Sequence, residues 1–347
     1  MNSRGMARLG VLAVGLGIGV AWAHTPVASA DSSTDWLSSI DSLLSGGALP
    51  APATGLDLAI SFDGFPLVSD GNATAETTLG DFGLAIADGD GAIANATGGT
   101  GDTAIAEGTN AIANAFGGTG DSALADGTNA YANAGGGTGA NFDHAIDIGN
   151  NDLPTTGFLN GAYAGDSDLI GATDGGTGSY DTAIDIGNNT NDTALGVGGT
   201  QGAFAGAGGL IGSDGNGNYD TAINFGNDSG TDNGPAAVDG DFNTATSSGN
   251  EVGQLLGAFA GSGNGNIASV VGGTSSADAG GLSDGSILSN YDIATVFDPT
   301  GTVGSYADAG ANASDPGNFD FAGTFADGLQ TFATGANYLF EVLPSLF

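Results

Sequence analysis

Two carboxylates four residues apart recur along this chain: Asp143 with Asp147, then Asp181 with Asp185. Paired acids are what general acid and nucleophile chemistry on glycosides requires. Their repetition argues against that use, because an active site rests on one singular pair, whereas these return wherever the surrounding sequence returns. A second candidate is GLSDG at 281–285, which fits the Gly-x-Ser-x-Gly nucleophile elbow around Ser283. With 67 glycines in 347 residues, roughly one such fit arises by chance. A triad around Ser283 would need His144 as its base, and His144 stands where its sister repeats carry Thr182 and Thr221. It reads as a repeat substitution that packs or faces a turn.

Calcium is the stronger chemical proposal. The chain holds 39 Asp plus Glu against two Lys plus Arg, for a formal charge of −37, and hard oxygen ligands at recurring turns suit Ca²⁺. The unit GGTGDTAIA resembles the RTX nonapeptide, Gly-Gly-x-Gly-x-Asp. Here Asp102 follows Gly101 directly and Asp181 comes three residues after Gly178, so that family's ligand spacing is not met. DGNGN at 214–218 opens like an EF-hand loop, but Tyr219 takes the place of the turn glycine and Phe225 that of the bidentate glutamate. The expectation is weak calcium binding at Asp143, Asp147, Asp181, Asp185 and Asp220, with no other cofactor.

Composition excludes more than it suggests. Both cations, Arg4 and Arg8, precede an apolar run from Leu9 to Ala23 and a small-residue motif, Ala28-Ser29-Ala30. This is the pattern of a cleaved secretory signal, with an apolar run shorter than the roughly 20 residues that span a bilayer. The expected mature chain, from Asp31, has no Lys, Arg or Cys and no transmembrane anchor. Nothing in it neutralises phosphate, so nucleic acid is excluded as a partner, as are P-loop, thiolate and Schiff-base chemistry.

The elements that would position these residues are short. Trp36, Leu37, Ile40, Leu43 and Leu44 have helical spacing within 31–47, and 48–83 reads as a Pro/Ala linker with entry strands such as LDLAISF. From 84 to 313 the chain repeats. AIADGDGAIANATGGTGDT, AIAEGTNAIANAFGGTGDS and ALADGTNAYANAGGGTG begin at 85, 104 and 123, a period of 19. NFDHAIDIGNN, YDTAIDIGNN and YDTAINFGND then follow at spacings of 39, and GAYAG or GAFAG recurs within them. Each 19-residue unit holds two β-prone runs with too little apolar surface for its own core, so stacking into a β-solenoid is predicted. Alternation puts Thr182, Ile184 and Ile186 on one face and Asp181, Ala183 and Asp185 on the other. The apolar face is expected to pack inward and the acids to coat the outside. In-phase Asn95, Asn114 and Asn133 suggest an amide ladder. Over 314–347, Phe321, Phe325, Leu329, Phe332, Ala336, Leu339, Phe340 and Leu343, mostly at spacings of three or four up to Pro344, predict a capping amphipathic helix. The fold class is therefore mainly β, a β-solenoid or β-roll with short N- and C-terminal helices.

The leader ARLGVLAVGLGIGVAWAHTPVASADSSTDWLSSID, the interior GGTGDTAIAEGTNAIANAFGG repeats and the ending ATGANYLFEVLP resemble exported mycobacterial Gly/Ala/Asn-rich repeat proteins, loosely PGRS-like but without a PE domain. AIAEGTNAIANA also looks like the head repeats of trimeric autotransporters, with a longer period. The resemblance implies a secreted or cell-envelope location, an unidentified surface partner and no catalytic residues to carry over. The first functional expectation is thus a non-enzymatic exported repeat protein with a structural or interaction role. A calcium-responsive RTX-like module comes second, and a secreted hydrolase third.

Overall fold

The computed structural model describes residues 57–136, 140–151, 160–165, 178–191, 201–206, 217–238, 240–249, 251–261, 263–272, 276–280, 289–298, 306–310, 319–324, 330–334 and 340–342. The expected signal segment 1–30 and helix 31–47 lie outside them, as does Ser283. The described residues are mainly β. A strand of about five residues is followed by a tight corner, a second such strand and another corner, and the chain thus alternates between two sheets. Each strand pairs in parallel with the strand one coil before and one coil after, as in Leu84–Asp88 on Thr103–Glu107 and Ile93–Thr97 on Ile112–Phe116. This is the architecture of a β-solenoid.

The first sheet runs in order through Phe65–Asp70, Leu58–Phe62, Leu84–Asp88, Thr103–Glu107, Ser122–Asp126, His144–Ile148, Thr182–Ile186, Thr221–Phe225, Thr244–Ser248, Ile267–Gly272, Ile293–Asp298, Phe321–Thr324 and Phe340–Val342. The second runs from Thr74–Thr77 through Ile93–Thr97, Tyr131–Gly135, Asn160–Ala164 and Gln201–Ala205 to Gln330–Thr334. Among the described strands the antiparallel pairings are those of Leu58–Phe62, with Phe65–Asp70 in a hairpin on one side and Leu84–Asp88 on the other. The unequal periods of 19 and 39 residues keep one register, since His144 pairs with both Ser122 and Thr182.

The interior is lined with alanine. Ala85, Ala104, Ala123, Ala145, Ala183, Ala222, Ala245, Ala268 and Ala294 form one buried column on the first sheet, and Ala94, Ala113, Ala132, Ala162 and Ala203 face them from the second. This reverses the expected facing. Ala183 and Asp185 point inward at 0 % exposure, while Thr182, Ile184 and Ile186 point outward. The alternation is as read, but inside and outside exchange, because the narrow space between the sheets admits methyl groups and not branched side chains. Among the described residues valine joins this alanine column at Val270 and Val296. The corners are equally close. A Cβ on Gly149 or Gly187 would collide with the backbone carbonyl of the glycine one coil on, Gly187 or Gly226.

A second correction concerns the C-terminal end. In place of a helix over 314–347, the described residues there are strands, Phe321–Thr324, Gln330–Thr334 and Phe340–Val342, which extend both sheets in parallel. Phe321-Ala322-Gly323-Thr324 carries the same inward alanine as the earlier coils, and of the apolar series Phe321, Phe332 and Phe340 lie on three different strands, while Phe325, Leu329, Ala336, Leu339 and Leu343 lie outside the described residues. No described helix is long and apolar enough to cross a membrane.

Candidate functional site

The predicted acids fall into two interior columns. Asp102, Asp121, Asp143, Asp181, Asp220, Asn243, Asn266, Asp292 and Asp320 occupy one corner on nine successive coils, each at 2 % exposure or less. Oδ1 of each accepts the backbone N–H of the next: Asp121 to Asp102 at 3.1 Å, Asp143 to Asp121 at 3.0 Å, Asp181 to Asp143 at 2.9 Å and Asp220 to Asp181 at 2.8 Å. The file continues through Asn243 to Asp220 at 2.8 Å, Asn266 to Asn243 at 3.1 Å, Asp292 to Asn266 at 3.1 Å and Asp320 to Asp292 at 2.9 Å. Aspartate and asparagine are interchangeable here because the bond needs only an acceptor oxygen of the right reach. Ser289 adds a hydroxyl donor to Asp292 Oδ2.

Asp147 and Asp185 stand in the other column, each in register with the other and both at 0 % exposure. Asp147 Oδ2 accepts the backbone N–H of Tyr131 at 2.6 Å and the Asn151 amide at 2.7 Å. Asp185 accepts the amides of Asn189 on Oδ2 and of Asn224 on Oδ1, the latter at 2.8 Å. These neutral donors take the part that lysine and arginine cannot play in a sequence with none beyond Arg8.

Burial without a cation raises these carboxyls. Removal from water lifts Asp102 and Asp292 to about 6, Asp121 to about 7 and Asp181 to about 8, against the lowering pull of the backbone N–H groups. Asp147 and Asp185 are likewise raised by burial, and Asp147 is raised further by Asp185 beside it. Oδ2 of Asp102, Asp121 and Asp181 lies inside with no hydrogen-bond partner, which suits a protonated carboxyl.

Asp143, Asp181 and Asp220 thus share one ladder and Asp147 and Asp185 another, with their reachable oxygens turned into the protein. Among the described residues no three acids or histidines converge on a point that could hold a metal ion. His144 sits on the outward face between Ser122 and Thr182, and burial lowers its imidazole below the ordinary value. Asn95 Nδ2 donates to Asn114 Oδ1 at 2.9 Å, as an amide ladder requires, but Asn114 Nδ2 then turns to the Tyr131 hydroxyl at 3.2 Å.

One feature was not read from the sequence. The residue before each ladder aspartate or asparagine is an exposed aromatic on most coils: Phe142, Tyr180, Tyr219, Phe242, Tyr291 and Phe319. All adopt φ between 60° and 66°, a conformation that ordinarily favours glycine, which is what Gly101, Gly120 and Gly265 supply on the other coils. The rings stack: Phe142 to Tyr180 at 5.1 Å, Tyr180 to Tyr219 at 4.8 Å and Tyr219 to Phe242 at 4.9 Å between centroids. The signal was the recurring Phe-Asp, Tyr-Asp and Phe-Asn dipeptides at 142, 180, 219 and 242. Beside this row the first sheet presents Thr or Ser, then Ile or Leu, then a mixed third column, all outward.

No family model matches the chain, and no curated protein or solved structure does so either.

Proposed function

We propose that the chain is an exported, non-enzymatic repeat protein of the cell envelope or extracellular space, acting through its outer faces in a structural or interaction role. The observation that carries this reading is where the acids go. Carboxylates that might do chemistry are built into the interior as rungs, each holding the next coil's backbone, so the surface left for function is the ruled outer face. The likeness of the leader and ending to exported mycobacterial repeat proteins supports the location.

A secreted hydrolase has less support, because the pairs Asp143 with Asp147 and Asp181 with Asp185 are fully buried, out of reach of a substrate. A calcium-responsive module also has less, for the absence of convergence described above. Expression of the tagged chain in a mycobacterium, followed by fractionation and N-terminal sequencing, tests the proposal. The expected product begins at Asp31 and lies in the envelope or medium, and an uncut chain held in the cytosol would refute it. Calorimetric titration with millimolar Ca²⁺ is expected to give no saturable heat.

A further inference from the structure

The solenoid carries larger apolar side chains outside its first sheet than inside it. Facing out are Ile146, Ile184 and Ile223 in one column and Ile148, Ile186 and Phe225 in the next, with Phe225 48 % exposed and, further along, Phe297 43 % exposed. On a monomer this face leaves its isoleucines partly exposed, and Phe225, Ile267 and Phe297 exposed, while methyl groups fill the core, the opposite of what burial favours. Its charge is just as uneven. Asp88, Glu107 and Asp126 lie at the outward end of the first three parallel strands, but from His144–Ile148 to Phe321–Thr324 the described outward positions carry no carboxylate. In a chain of formal charge −37 with no lysine or arginine beyond Arg8, that stretch is a surface a second acidic molecule can approach without repulsion.

We infer that this outer face of the first sheet is the interface between two copies of the chain, packed sheet on sheet. Ten parallel strands, from Leu84–Asp88 to Phe321–Thr324, build it. At about 4.8 Å per strand, and about 15 Å across three outward positions, the face covers roughly 700 Å². Stable interfaces of standard size bury about 600–1,000 Å² per partner, so the face falls in the lower part of that range, and the ring row along its edge would enlarge it.

Charge also sets the direction. A two-fold axis parallel to the strands, between Thr182–Ile186 and Thr221–Phe225, lays Ser122–Asp126 of one copy over Ile267–Gly272 of the other and Thr103–Glu107 over Ile293–Asp298. Asp126 and Glu107 then meet uncharged outward residues, and Ile184 faces Ile223 at the centre. The alternative two-fold, along the solenoid, lays coil on like coil with strands reversed, so that Asp126 meets Ser122 and Glu107 meets Thr103, and it gathers the three acid-bearing coils of both copies at one end of the interface. The inference stands on the face alone and holds whether or not the chain is exported.

Sedimentation velocity on the full chain at about 150 mM salt, where the Debye length is about 8 Å, tests it. The wild type is expected to be a dimer. Ile184→Asp, and separately Thr221→Asp at an outward hydroxyl of the same face, are expected to raise the dissociation constant at least about 100-fold with an unchanged far-UV circular dichroism spectrum. Thr74→Asp, at an exposed position of the second sheet, is expected to stay dimeric. A wild-type monomer at about 50 μM protein, whether its face then stays bare or takes up another molecule, overturns the inference. So does an assembly that survives both Ile184→Asp and Thr221→Asp.

Discussion

A carboxyl group shut inside a protein with no lysine or arginine beyond Arg8 must keep its proton or find neutral donors, and this chain uses both. The consequence for stability has a definite sign. Asp102, Asp121, Asp181 and Asp292 hold protons in the folded state up to pH of about 6, 7, 8 and 6, whereas the unfolded chain gives them up near 4. The folded state therefore binds more protons across that window, and its stability is full below about pH 4 and falls as pH rises through 6 to 8. The urea midpoint is expected to be clearly lower at pH 8.5 than at pH 5, and equal midpoints would contradict the buried ladder. Asp181→Asn should weaken this dependence and stabilise the protein at pH 8.5, since asparagine already serves at positions 243 and 266. Its amide has a precedent there too, because Asn266 Nδ2 donates to Gly261 O and Ser289 O at 3.0 Å each. The recurrence of these acids was plain in the sequence. Their burial was not, because an aspartate at a turn is ordinarily solvated, and only the step-by-step hydrogen bonding of each Oδ1 to the next coil makes the inside its place.

The five-residue strands were legible as elements from their alternation, and so was their stacking, from the period. What the alternation alone left open was which side faces in. In Ile-Ala-Asn-Ala-Phe at 112–116, hydropathy argues for burying Ile112, yet Ala113 and Ala115 are at 0 % exposure and Ile112 faces out. The deciding quantity is volume. Two sheets joined by tight glycine corners stand too close for isoleucine on both, and alanine is the residue common to both inner columns. Substitution separates the two readings directly. Ile112→Ala should cost about 1 kcal/mol, the loss of half-buried methyl and methylene groups. Ala113→Ile should cost about 3 kcal/mol or prevent folding, because extra carbons in a filled core force the backbone apart. Urea denaturation of both variants measures the difference, and a larger loss at Ile112 would restore the opposite facing. The aromatic corners were overlooked for a related reason: phenylalanine at a left-handed φ is rare, and stacking on the ring of the next coil offsets that cost at 142, 180, 219 and 242.

Across the whole molecule, stability accrues by coil rather than around a central core, so the number of coils should be adjustable. Deletion of the 19 residues Thr103–Asp121 joins Asp102 to Ser122 and keeps every column in phase. That variant is expected to retain the wild-type circular dichroism per residue with a modest loss of stability. Deletion of ten residues from the same place, which moves a second-sheet strand into the first, should abolish the cooperative transition. The repeat made this modularity readable, whereas the C-terminal strands were hidden because phenylalanines gathered from several short turns imitate the spacing of one helix. The antiparallel hairpin at Leu58–Asp70 stands at the other end, the one local pairing in a molecule otherwise held by contacts one coil apart. The aspartate ladder then gives the assembly a sense of time. Every rung is an acceptor already in place before the N–H that it receives has been added, from Asp102 onward to Asp320. A chain emerging amino end first can close its hairpin and set down one coil after another, each templated by the last, without waiting for its carboxyl end. The side-chain ladder thus points the same way as synthesis, each acceptor preceding its donor in the chain.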